Sequence, residues 1–305
     1  MGPRTIAGCL AAVVLACSCT GDEPREPRAA ASPDATETAT PEPAEPAATR
    51  AFRPPVRKHG DRIVMPVTFV DGSRAEVVAD RSLGVQRMGV SVYTSGGLGG
   101  IDRTLSFNAG DGSGFMRSGP LEVYEGHDGG RVELWRPARD LPGRCRYLVY
   151  RFAAWFGDWF VGVRACQPGL SRDEREQWAR LLRGRVTPEG WLVLSARPPL
   201  QLTPAGGHSG PELIFGQGRS NWVEVEPGRC DRSSPGRGGF VRKMPDGTVV
   251  RFSRLGGSPD RGDVWTATWC EDGRATVQVS QAFERFARAA ARGFRMRRIV
   301  LADPS

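Results

Sequence analysis

The side chains best suited to chemistry are few and far apart. Three histidines, His59, His127 and His208, are the only imidazoles in 305 residues. A serine nucleophile needs a base within reach to take its proton. Gly207-His208-Ser209-Gly210-Pro211 sets a hydroxyl beside an imidazole but lacks the closing glycine of a nucleophile elbow. Arg117-Ser118-Gly119-Pro120 repeats the Ser-Gly-Pro letters without the histidine, so a turn explains Ser209 better than catalysis does. Asn108 to Gly114 offers oxygen ligands among glycines, yet without the spacing and terminal glutamate of a calcium loop. Gly216-Gln217-Gly218 is not completed into a dinucleotide fingerprint. Arg261-Gly262-Asp263 reads as a Gly-Asp turn like Gly157-Asp158. No catalytic residue, cofactor site or metal ligand set is assigned from these letters.

Cysteines carry a stronger signal. Of seven, Cys9, Cys17 and Cys19 lie at the start of the chain, which leaves Cys145, Cys166, Cys230 and Cys270. A structural metal site wants clustered spacing such as C-x2-C, and no pair among these four has it. An even number in an exported domain reads instead as disulfides, with three possible connectivities. The aromatic run Trp155-Phe156-Gly157-Asp158-Trp159-Phe160 is the densest apolar feature. Alternate residues of a strand point to opposite faces, so these rings divide between two sides; Trp159, echoed by Trp265, is expected in the core, and Trp155 and Phe156, which have no such echo, are the candidates for contact with a ligand or partner.

The elements that position these groups are mostly strands. Asp71-Gly72 between apolar runs, and Asp246-Gly247 before Thr248 to Phe252, are hairpin signals. Tyr147 to Phe152 and Trp159 to Val163 predict another hairpin. One helix is predicted from Ser171, with Glu174 completing a capping box, Trp178, Leu181 and Leu182 on its apolar face, and Gly184 as its stop. A second has Ser280 as cap, a stripe of Phe283, Phe286, Ala287 and Ala290, and Gly293 at its end. Strands follow at Trp191 to Leu194 and Arg298 to Leu301.

Self-similarity organises the whole. Ser118-Gly119-Pro120-Leu121 is echoed by Ser209-Gly210-Pro211-Glu212, Pro142-Gly143-Arg144-Cys145 by Pro227-Gly228-Arg229-Cys230, and Gly157-Asp158-Trp159 by Gly262-Asp263-Val264-Trp265, in the same order. The expected fold is α+β, predominantly antiparallel β, with two diverged β-rich units, each with one helix and one disulfide. The duplication selects Cys145–Cys166 and Cys230–Cys270 as the bridges. A β segment over about residues 60–115 has no clear counterpart in the second half.

The N-terminus supplies an address. Ile6 to Ala16 is apolar after Arg4, the length of a signal-peptide core and too short to span a bilayer. Val14-Leu15-Ala16-Cys17 resembles the lipobox of bacterial lipoproteins, which implies cleavage before Cys17 and acylation of its thiol; a simple secretory signal is the alternative. Residues 17–55 are rich in Pro, Ala, Thr and Glu with no apolar period, as expected of a disordered tether. The division is therefore 1–16 signal peptide, 17–55 lipidated cysteine and tether, 56–200 N-terminal β region and first unit, and 201–305 second unit. Anchored by lipid, the chain would lie on the extracytoplasmic face of the cell membrane.

Of 42 basic residues only Lys58 and Lys243 are lysines, a skew that points to a GC-rich genome as much as to chemistry. Residues 1–55 hold five arginines and seven acids, so the remainder, with 37 basic and 27 acidic residues, is the more basic part. Export makes nucleic acid an unexpected partner and anionic envelope polymers, or another envelope protein, the expected ones. The lipobox, the tether and the stretch Met65-Pro66-Val67-Thr68-Phe69-Val70-Asp71-Gly72-Ser73-Arg74-Ala75-Glu76 are similar to uncharacterised lipoproteins of actinobacteria. That resemblance implies a high-GC Gram-positive envelope and no particular activity. The expected function is a non-enzymatic interaction or ligand-binding module, with a cell-wall-directed hydrolase using carboxylates such as Glu125 or Asp128 as the alternative.

Overall fold

A computed structural model describes residues 52–109, 121–125, 131–135, 149–165, 170–207, 210–216, 221–228, 230, 239–255 and 264–303, all within one compact unit, Pro46–Ser305. Its first strands are β1 (Arg57–His59), β2 (Arg62–Thr68) and β3 (Arg74–Asp80). Two 3-10 turns, Arg81–Leu83 and Val85–Arg87, lead to β4 (Val90–Leu98) and β5 (Ile101–Ala109). Then come β6 (Leu121–Glu125), β7 (Arg131–Trp135), β8 (Val149–Phe156), β9 (Trp159–Ala165), the helix α1 (Arg172–Leu181), β10 (Leu182–Val186), β11 (Leu192–Ala196) and β12 (Gln201–Leu202). The C-terminal part holds β13 (Glu212–Phe215), β14 (Trp222–Pro227), β15 (Phe240–Lys243), β16 (Val249–Leu255), β17 (Val264–Glu271), β18 (Ala275–Ala282), α2 (Glu284–Gly293) and β19 (Phe294–Val300). The class is α+β with antiparallel strands dominant.

Local chemistry explains several of these boundaries. Asp71 Oδ1 accepts the Ser73 N–H at 2.9 Å, and Gly72 takes φ 92°, which closes the β2–β3 hairpin. Asp246 does the same for Thr248 before β16. Ser171 and Glu174 form the expected capping box, with Ser171 Oγ accepting at 3.1 Å and Glu174 Oε2 accepting the Ser171 N–H at 2.7 Å. Other boundaries differ from expectation. Gly184 does not stop α1: the helix ends at Leu181 and runs straight into β10. Ser280 lies inside β18, and the N-cap of α2 is Phe283, with no side-chain cap. Both helices end by passing directly into a strand, a stop that needs no glycine outside the helix.

Twelve strands form a continuous path, β15-β16-β17-β18-β14-β13-β4-β5-β9-β8-β7-β6, with β12 attached to β4. Read outward from the central β13–β4 pair, each side has the same order: first strand, second, then sixth, fifth, fourth and third of its own segment. A helix and a strand follow in each. β10 pairs with β11, and β19 pairs with β3 in the sheet β1-β2-β3-β19. The equivalences in space are not those of the matched letters. β13, which follows the Ser209-Gly210-Pro211 echo in sequence, is central, whereas β6 after Ser118 is at an edge. β4 and β5, read as having no counterpart, stand opposite β13 and β14. The turn equivalent to Gly157-Asp158 is Asp272-Gly273, both with positive φ. One sheet runs through both halves.

One face of the large sheet is sealed. Val90, Val92, Leu213, Phe215, Val223, Val225, Val277, Val279, Ala267, Trp269, Val250 and Phe252 alternate inward and are buried. Removing an aliphatic or Phe side chain of this kind from water contributes about 1.5–3 kcal/mol. α2 packs here through Ala287, Ala290 and Ala291, while Arg288 covers the Phe240 and Phe252 rings at 5.7 and 5.8 Å. Arg295 ties the end of α2 to the β15–β16 turn, donating to Ala291 O at 2.9 Å and to both Asp246 Oδ2 and the nearby backbone. Packing reaches back to Phe52, whose ring sits 5.2 Å from Trp159 and 4.9 Å from Trp191, so ordered contacts begin inside the stretch read as tether.

Candidate functional site

The strict alternation of β14, Trp222-Val223-Glu224-Val225-Glu226, decides the site. Val223 and Val225 fill the core, so Trp222, Glu224 and Glu226 must share the opposite face, where all three are half-buried. β13 pairs Leu213 with Val225 and Glu212 lies beside Tyr93 of β4, which sets Glu212 next to Glu226. On the other side β18 brings Gln278 opposite Glu224, Thr276 opposite Glu226 and Ser280 opposite Trp222. Gln278 Nε2 donates to Ser280 Oγ at 2.6 Å. Thr268 of β17 and Arg251 of β16 continue the row.

Three carboxylates in adjacent rows cannot all ionise freely. Burial, and then the charges of Glu224 and Glu226, push Glu212 up to about 7. Burial, followed by the charge of Glu226, raises Glu224 as well. Near neutral pH the row thus holds a proton that it can share or donate, and it accepts hydrogen bonds from hydroxyl or amine groups. The Trp222 indole N–H is shielded and, among the described residues, has no hydrogen-bond partner. Among the described residues, no three His, Cys, Asp or Glu side chains come together in an arrangement able to hold a metal.

The residues singled out in the sequence fall elsewhere. Phe156 is half-buried with its ring over Gly184 of β10: a Cβ at Gly184 would stand 2.5 Å from it, so Phe156 packs the large sheet against β10. Trp155 lies in β8 opposite Phe160, with its side chain outside the described residues. Trp159 is core as expected, 2% exposed, its indole donating to Gly190 O at 2.8 Å. Cys230 and Cys270 form a disulfide, Cα atoms 5.3 Å apart, linking the chain after β14 to β17. Cys17, Cys145 and Cys166 lie outside the described residues, as do His127, Asp128, His208, Ser209 and Arg261 to Asp263. Glu125 ends β6 opposite Arg131, and His59 is exposed on β1. Glu212, Glu224 and Glu226 were not singled out; alternation on β14 would have paired the last two, but only strand register adds Glu212. No family model matches the chain, and no curated protein or solved structure is significantly similar to it.

Proposed function

We propose that this is a lipid-anchored protein of the cell envelope, built from two diverged copies of one β-rich unit, whose folded part is an interaction module working through the polar face around β14. The observation that carries the reading is the half-buried row of Tyr93, Glu212, Glu226 and Glu224 beside Trp222, on a sheet whose other face is sealed core. Desolvated carboxylates are costly in the free protein and repaid by a ligand that supplies donors. Duplication is supported by the shared strand order about β13–β4. The anchor rests on Val14-Leu15-Ala16-Cys17, and among the described residues no helix is long and apolar enough to cross a membrane. The ligand is an envelope polymer or a second envelope protein that presents hydroxyl or amine donors to the row.

In-cell crosslinking followed by partner identification tests the reading. The partner should be captured by the native chain, lost with Trp222→Ala at unchanged melting temperature, and reduced with Cys17→Ala as the protein leaves the membrane fraction. Undiminished capture by Trp222→Ala would remove the face from consideration, and unchanged fractionation of Cys17→Ala would remove the anchor. A second reading, a wall-directed hydrolase, draws on Glu212: a carboxyl titrating near 7 beside other carboxylates can serve as a general acid. Turnover of purified wall glycan that disappears with Glu212→Gln would favour it.

A further inference from the structure

We propose that the groove beside the two 3-10 turns after β3 binds a polyol phosphate, a phosphate or phosphodiester carrying hydroxyls on neighbouring carbons. The groove has a volume of about 410 Å³ and is lined by Asp61, Asp80, Arg81, Ser82, Gln86 and Arg87. It lies apart from the carboxylate row of the large sheet. Gly84 separates the two turns in the left-handed region, φ 70°, and among the described residues nothing stands within 4 Å of where its Cβ would be.

The groups around it divide by chemistry. Asp80 is occupied: Arg62 Nε is 3.5 Å from its Oδ1, and its carboxylate rests against Gly293 at the end of α2. Arg81 and Arg87 are exposed and, among the described residues, pair with no carboxylate. A guanidinium is a planar fork of donors that matches phosphate oxygens two at a time, and two such forks on one groove call for an oxyanion. Gln86 Oε1 is buried and, among the described residues, has no donor. An acceptor in that position is satisfied by an O–H from water or ligand. Asp61 and Ser82 also line the groove and add acceptors. Inorganic phosphate would answer the arginines alone and glycerol the acceptors alone, whereas glycerol 3-phosphate answers both. The same group occurs free, along polyol phosphate polymers and as the headgroup of phosphatidylglycerol.

Calorimetry on the purified full-length chain with glycerol 3-phosphate, inorganic phosphate and glycerol provides the test. Glycerol 3-phosphate should bind saturably and at least about tenfold tighter than inorganic phosphate. Arg81→Ala with Arg87→Ala should weaken it by about tenfold or more, and Gln86→Leu should abolish the preference over inorganic phosphate while phosphate still binds. Sedimentation of the Cys17→Ala form with vesicles of phosphatidylglycerol in phosphatidylcholine, against phosphatidylcholine alone, identifies the source: tighter binding to the charged vesicles than to the soluble ligand assigns the headgroup, and the reverse assigns free or polymeric polyol phosphate. Absence of saturable binding in both arms, equal affinity for phosphate and glycerol 3-phosphate, or an Arg81/Arg87 variant that folds and binds as well as the native chain would each overturn the proposal. The comparison of the three small ligands uses the native chain, so it stands even if a variant fails to fold. Trp222→Ala should leave this titration unchanged, so the sheet face and the groove fail separately.

Discussion

Glu212 and Glu271 show how single residues couple this fold to pH. Glu271, at the end of β17, is also pushed up to about 7, by burial, although the Trp269 indole donates to it at 2.6 Å and Arg295 stands 4.0 Å away. For both groups the folded-state value lies above the ordinary one of 4.5. Below about 4.5 the carboxyls are protonated in folded and unfolded chains alike, and their full contribution is present. As pH rises, the unfolded chain ionises first, so stability is lost progressively until about 7 and stays lost above it. Glu212→Gln removes one of these groups. At pH 8 its melting temperature should exceed the native value by a few degrees, the scale of about 1 kcal/mol once solvent screening of a half-buried group is allowed for. At pH 4 the two proteins should melt together. Thermal melts across pH 4–8 check the sign, and a variant less stable at pH 8 would show that the Glu212 charge is favourable in the fold.

Among the elements, the junction of β8 with β10 makes the sharpest demand on sequence. Gly184 is required because the Phe156 ring occupies the space of a side chain, and not because a helix must stop there. Gly184→Ala should destabilise the protein by about 1–3 kcal/mol, the usual cost of overpacking. Combining it with Phe156→Ala should cost less than the sum of the two single changes, because the second removes the clash. Denaturant unfolding of the four proteins in the cycle measures this, and strict additivity would mean that ring and glycine do not meet. The same strand arrangement shows why α1 was legible and its end was not. Ser171 and Glu174 act within one turn, whereas the passage into β10 depends on pairing with β11: Trp191 to Leu194 reads as a strand, but nothing local names Leu182–Val186 as its partner.

At the scale of the molecule, β19 closes the structure by pairing with β3, more than two hundred residues earlier. A chain ended before Phe294 leaves β3 unpaired on that side and exposes the core beneath Phe294, Met296 and Ile299. It should lose cooperative melting in both halves, as followed by calorimetry and tryptophan fluorescence. A surviving transition from residues 56–200 would mean that the halves fold independently. What the sequence determined by itself was local: the Asp71-Gly72 and Asp246-Gly247 hairpins, the Ser171 cap, the two helices, the buried Trp159, the β-rich class and the pairing of Cys230 with Cys270. The hairpins, the cap and the helices rest on turn chemistry and periodicity within a few tens of residues, while Trp159 and the cysteine pair were reached from letters echoed between the two halves. Tertiary structure decided what depends on register between distant strands. It placed β18 between β14 and β17, joined the halves at β13–β4, and made β4 and β5 the spatial counterparts of β13 and β14 although their letters do not match. It also brought Glu212 beside Glu226. The physical reason is that a strand's alternation says which side chains share a face, but its neighbours are chosen by the packing of the whole sheet.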